Sequence, residues 1–199
     1  AAVMAEEGAD LFILETFSNI QELWQAYRAA RSAAPQIPIL ACLTFEFGLD
    51  GKQVRGTSPE EAARTITGWG ADAMGANCST GPQAVLSVIE RMSRVTKVPL
   101  VASPNAGMPQ IVEGRTLYMA APEYMAEYAR RFVQKGATVV GGCCGTTPDM
   151  IREMRSFVRS VSPGVRSIEV LDERQESQEL DPIPAPERST LAKKAPPLS

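Results

Sequence analysis

The run GGCCGTTP, residues 141–148, sets Cys143 and Cys144 side by side with glycines on both sides. A disulfide between neighbours would close a small strained ring, whereas ordinary disulfides need their Cα atoms well apart. The pair therefore reads as two thiols. A third thiol, Cys78, lies in NCSTGP (77–82), and a carboxylate, Glu15, in LET (14–16). Thiolates are both nucleophiles and metal ligands. The chain has no histidine, so any transition-metal site in it is built from thiolates and carboxylates. Ser-His-Asp and Cys-His catalysis and any imidazole base are excluded for these residues.

What must position these groups is a repeated strand and helix. Five apolar runs alternate with amphipathic stretches: DLFILET (10–16), IPILACLTF (37–45), DAMGANC (72–78), VPLVAS (98–103) and ATVVGG (137–142). Helices are expected over 18–34, 59–69, 82–95, 122–135 and 148–160. Ser18 with Gln21, and Ser58 with Pro59 and Glu61, read as capping boxes, and Thr147-Pro148 as an N-cap with proline at the first helical position. Strands apolar throughout, with a helix between each pair, predict a parallel sheet covered on both faces. GAD at 8–10, GAD at 70–72 and GAT at 136–138 each place a helix-ending glycine before a strand. Five such units over about 160 residues correspond to five eighths of an eight-stranded α/β barrel of about 250 residues.

The opening AAVMAEEGAD reads as the last turns of a helix already under way. Residues 162–199 hold six of the fifteen prolines and the charged run DERQESQE, which is linker composition. The expected organisation is a partial barrel over 1–161 followed by a Pro-rich, charged linker over 162–199, in an internal piece of a longer protein. A five-stranded arc leaves two sheet edges unpaired, so the isolated piece is expected to fold poorly.

Composition narrows the partners. Twenty basic against 23 acidic residues give a net charge of -3, which offers no broad cationic face to nucleic acid or anionic lipid. The apolar runs are too short to span a bilayer, which needs about 20 residues. Four cysteines in 199 residues is intracellular usage, sparser than a disulfide scaffold, and a cytoplasmic location is expected. A small neutral or zwitterionic partner fits best.

Counted from the strand entrances, Glu15, Cys78, Cys143 and Cys144 all fall at strand C-termini, on the first, third and fifth strands. In a barrel that face assembles active sites, and alternate strands fill the same layer. Successive strand residues point to opposite faces, so Cys143 and Cys144 can share an ion only where the strand breaks, as Gly141, Gly142 and Gly145 allow. Three thiolates suit one Zn²⁺ and leave its fourth tetrahedral position open, the mark of a catalytic site. Two plainer readings stand beside this one. The cysteines could be small buried residues in a turn, or a closed structural zinc could take Cys42 as its fourth ligand, although Cys42 lies mid-strand and fits better as a small hydrophobe.

GANCSTGP (75–82), SPNAGMP (103–109) and GGCCGTTP (141–148), in this order with LET upstream, resemble the homocysteine S-methyltransferase family. The resemblance covers about residues 1–160. It implies a (β/α)8 TIM barrel, of which these residues are about strands 4 to 8. It implies that Cys78, Cys143 and Cys144 bind zinc, that Glu15 holds the amino group of homocysteine, and that the reaction transfers a methyl group to the substrate thiolate, giving methionine. Where the family commonly has a histidine after TP, this chain has Asp149, which is not a zinc position. Asn77 is either a substrate contact or the orienter of its own turn, and Asn105 is the expected contact in the SPNAG lining. The tail PIPAPERSTLAKK resembles the linker before the reductase half of bifunctional proteins that join this module to methylenetetrahydrofolate reductase. That implies a folate-linked methyl donor, with a cobalamin module downstream as the alternative. The competing function is a structural-zinc or redox-dithiol module supporting a partner domain.

Overall fold

The computed structural model describes residues 1–47, 54, 56–79, 81–162 and 164. Helix α1 (Ala2–Glu6) leads into strand β1 (Phe12–Phe17), then α2 (Ile20–Ala33), β2 (Ile39–Leu43), α3 (Pro59–Trp69), β3 (Ala73–Cys78) and α4 (Pro82–Ser93). Next come β4 (Leu100–Pro104), the short strands β5 (Pro109–Val112) and β6 (Arg115–Tyr118), α5 (Pro122–Gln134), β7 (Ala137–Val140) and α6 (Pro148–Arg159).

Five strands form one parallel sheet in the order β1-β2-β3-β4-β7, which is chain order. Right-handed crossovers between successive neighbours place every connecting helix on the same side. Leu14, Ala41, Met74, Leu100 and Ala137 are aligned across the sheet and pack with Leu23, Tyr27, Ile66, Val88, Ile89 and Phe132 of the helices. The alternate row of Cys42, Gly75, Val101 and Val139 faces the other way. There the apolar packing is a small cluster of Cys42, Ala73 and Val101 with Leu40. The expected parallel sheet with helices between its strands is present; among the described residues the helices cover one face, and the other carries this small row. The edge strands leave Ile13 55% and Val139 42% exposed. Among the described residues no helix is long and apolar enough to cross a membrane.

Local chemistry explains the helix ends. The Ser58 hydroxyl accepts from Glu61 N–H at 3.2 Å with Pro59 in the first turn, and Gly70 closes α3 in the left-handed region at φ 77°, where glycine carries no Cβ penalty. Thr147 caps α6 by accepting from Met150 N–H at 3.3 Å. The cap of α2 is one residue later than expected: Asn19, not Ser18, accepts from Gln21 N–H at 2.7 Å. The helix begins at Ile20, which puts Asn19 in the extended cap position, and asparagine is as good a cap as serine.

Strands β5 and β6 form an antiparallel hairpin, Pro109↔Tyr118 through Val112↔Arg115; the sequence reads GMPQ (107–110) as a loop tip, but its Pro109 and Gln110 are paired in β5. The hairpin's two-residue turn, Glu113-Gly114, has φ 50° and 74°, the positive pair that hairpin turns favour. The EG step between QIV and TLY is the sequence signal for it. The loop tip expected at LDGKQVRG (49–56) lies mostly outside the described residues, as does nearly all of the linker expected over 162–199.

Candidate functional site

Strand β3 ends abruptly. Cys78 and the following Ser79 have φ 61° and 68°, a region non-glycine residues seldom occupy and one that concentrates at functional sites. The Ser79 hydroxyl donates to the Phe45 carbonyl, holding the turned chain against the end of β2. The Cys78 side chain is half-buried.

Beyond β7 the chain breaks at Gly141 and Gly142. Gly141 N–H bonds the Ala102 carbonyl at 2.9 Å and Cys143 N–H the Pro104 carbonyl at 2.8 Å, so the turn is strapped along β4. Cys143 is half-buried and Cys144 exposed. All four cysteines are free thiols, and the Cys143 and Cys144 sulfurs are 3.9 Å apart. The Sγ atoms of Cys78, Cys143 and Cys144 all lie within 4.8 Å of one another. Burial pushes the Cys143 thiol up to about 11, and the nearby Cys78 and Cys144 sulfurs add to this. Cys42 is not in the cluster. It is 1% exposed in mid-strand, and burial followed by the Glu15 charge drives its thiol to about 12.

The two asparagines expected at the mouth have their polar atoms engaged within the protein. Asn105 is 5% exposed. Its amide donates to the Ser79 carbonyl at 2.8 Å and its oxygen accepts from Cys144 N–H at 3.2 Å. It ties the loop after Cys78 to the turn that carries Cys144. Asn77 is 1% exposed and reaches the end of β1. Its Nδ2 lies 3.5 Å from Glu15 Oε2 and 3.9 Å from Cys143 Sγ, so one amide nitrogen adjoins both the carboxylate and the thiol cluster.

Tyr118 was not singled out by the sequence. Its ring packs on Gly145, where a Cβ would overlap it. Desolvation and then the Cys144 thiol, with Cys78 and Cys143 behind it, raise its phenol. The hairpin that carries Tyr118 thus forms a wall of the thiol cluster, a placement that a residue 26 positions from Cys144 could not betray without the hairpin.

The sequence profile described as homocysteine S-methyltransferase matches residues 1–158. The methionine synthase of Mycobacterium tuberculosis (strain ATCC 25618 / H37Rv) is 32% identical over 170 residues, covering 83% of this chain and 14% of that protein. The chain thus spans about one seventh of that relative's length. Among solved structures, the Escherichia coli homocysteine methyltransferase MmuM in its apo form superposes with a TM-score of 0.58 at 24% identity, covering 77% of this chain and 52% of that one. The same enzyme in its metallated form gives 0.58 and 24%, over 77% of this chain and 46% of that one.

Proposed function

We propose that this chain, which belongs to the homocysteine S-methyltransferase family, carries the metal and homocysteine site of an enzyme that methylates the homocysteine thiolate to give methionine. The observation that carries this is the meeting of three thiols from two separate strand ends within 4.8 Å.

The donor set fits zinc. A tetrahedral ion about 2.3 Å from each sulfur needs the sulfurs about 3.8 Å apart. The Cys143 and Cys144 sulfurs are 3.9 Å apart, and no pair in the cluster exceeds 4.8 Å. Cys78, Cys143 and Cys144 would hold one Zn²⁺ and leave one of its four positions to a substrate sulfur. Zinc there would favour the thiolate form of that sulfur, which is otherwise only a few per cent ionised at neutral pH.

The chain's own residues do the rest. Asn105 and the β4 carbonyls hold the two cysteine-bearing turns at a fixed separation. Glu15, one amide nitrogen away from Cys143, presents a carboxylate to the substrate ammonium, and the two groups of homocysteine that these sites would bind are separated by a short aliphatic chain. With both ends held, the sulfur is aimed at the open side of the mouth, where the donor arrives. The thiolate forms the new S–CH₃ bond as the bond from that carbon to the donor breaks, and the donor keeps the electron pair.

Three features support reading 1–161 as the C-terminal part of a (β/α)8 barrel. The helices lie on one side of a sheet whose order is chain order. The edge strand β1 exposes Ile13. Beside β7 a groove of about 240 Å³, lined by residues including Val133, Val140, Ile151 and Met154, lies open. Further βα units of the barrel would cover both the β1 edge and this groove. The methyl donor would be folate-linked if a reductase module follows the linker.

The test is metal binding in the complete protein. Cobalt(II) titration should give one ion with thiolate charge-transfer absorption that grows when homocysteine is added. Serine at Cys78, Cys143 or Cys144 should remove the ion. Binding that survives all three substitutions, or a spectrum indifferent to homocysteine, would overturn the proposal. Glu15→Gln should leave the ion in place and weaken homocysteine binding roughly tenfold to a hundredfold, the scale of a hydrogen bond to a charged group.

A further inference from the structure

Strand β1 does not run straight to its end. Its pairing with β2 is regular through Leu14↔Ala41 and resumes at Phe17↔Leu43, so Glu15 and Thr16 together oppose the single residue Cys42. Two residues against one is a bulge, a device that re-aims a side chain next to a site. Thr16 sits in it at φ 67°. For a β-branched residue that angle is a true outlier, held only where the surroundings over-determine it.

What holds it is the Asn77 carboxamide. Its oxygen accepts from Thr16 N–H at 2.9 Å and its nitrogen donates to Thr16 Oγ1 at 2.8 Å. The remaining amide hydrogen faces Glu15 Oε2 at 3.5 Å and Cys143 Sγ at 3.9 Å. Asn77 is itself fixed, since its carbonyl accepts from the Thr44 hydroxyl at 3.1 Å and its side chain is buried. Both a donor and an acceptor are needed at this spacing, so neither aspartate nor leucine reproduces the clamp.

We infer that Asn77 is the positioning residue for amine recognition: it locks the β1 bulge through Thr16 and thereby aims Glu15 at the thiol mouth, touching neither substrate nor product. The inference presupposes the role of Glu15 proposed above. It predicts that Asn77 matters to homocysteine through the ammonium group alone.

The experiment compares binding of homocysteine with that of 4-mercaptobutanoic acid, the same thiol without its amino group, to the complete metal-loaded protein by calorimetry. Metal content is measured alongside. Wild type should prefer homocysteine, and Glu15→Gln should lose that preference. Asn77→Ala should lose most of it too, by roughly tenfold or more, with 4-mercaptobutanoate binding and metal content unchanged. Thr16→Ala, which removes only one arm of the clamp at an exposed position, should lose part of it and covers the case in which Asn77→Ala does not fold. Adding Thr16→Gly to Asn77→Ala should recover part of the preference, since glycine takes positive φ without a clamp. If Glu15→Gln keeps the preference, the amine role of Glu15 fails. If Glu15→Gln loses it while Asn77→Ala or Thr16→Ala keeps it in full, the positioning role fails. Loss of the metal, or equal weakening of both thiols, in Asn77→Ala would likewise overturn it in favour of a role in the thiol cluster itself.

Discussion

Gly145 tests whether the Tyr118 wall supports the cysteine turn. It stands directly after Cys144 with φ +78°, and an added Cβ would overlap the Tyr118 ring. Gly145→Ala therefore carries two separable costs. Holding alanine in the left-handed region costs about 1–2 kcal/mol, and forcing a methyl into a packed contact costs about 1–3 kcal/mol. Together these give roughly 2–5 kcal/mol. In a domain of about 150–250 residues each kcal/mol lowers Tm by roughly 2–4 °C. Tyr118→Ala removes the ring and hence the second cost, so in that background Gly145→Ala should cost only the backbone part. A double-mutant cycle by thermal or urea unfolding of the complete protein should return a coupling of about 1–3 kcal/mol. The cobalt charge-transfer band should be distorted in Gly145→Ala and partly restored in the double mutant. Additivity within about 0.5 kcal/mol, with an unperturbed cobalt spectrum, would refute the packing of Tyr118 on this turn.

Cys42→Ser should leave metal content unchanged, because Cys42 lies outside the thiol cluster in an apolar row with Ala73 and Val101. Stability should fall by about 1–3 kcal/mol as a hydroxyl is buried there without an assured partner; loss of the ion on this change would restore the closed four-thiolate site. In metal-free protein, the folded Cys143 thiol is raised from 9.0 to about 11, so the fold favours the protonated form. That contribution is complete below pH 9 and disappears as pH climbs through about 11. Tm of the metal-free protein should thus decline across this window, more steeply than in Cys143→Ala, and equal slopes would refute the assignment.

The sequence alone determined the five parallel strands, the helices between them and the residue types from which a candidate site could be built. Apolar runs bounded by Gly70, Ser58 and Thr147 specify strands and helix ends through local propensity and capping, which act within a few residues. The absence of histidine leaves thiolates and carboxylates as candidate metal ligands, Cys78, Cys143 and Cys144 stand after strands, and the motifs around them carry the family. The tertiary structure decided what depends on contacts across the chain. Asn19, not Ser18, is the cap of α2 because the helix begins at Ile20, a boundary that two adjacent cap-forming residues leave open in the sequence. The hairpin Pro109–Tyr118 carries a local turn signal at Glu113-Gly114, but only the tertiary structure brings its Tyr118 onto Gly145. Asn77 looked like either a ligand or a turn residue. Its partners are Thr16 and Glu15, 61 and 62 positions away, and no local pattern records a hydrogen bond over such a separation. The left-handed Thr16 and the bulge that turns Glu15 exist because β3 lies next to β2 and its end reaches β1. That adjacency is a property of the sheet, set by how five strands share one hydrophobic layer, and it is absent from any single stretch of the sequence.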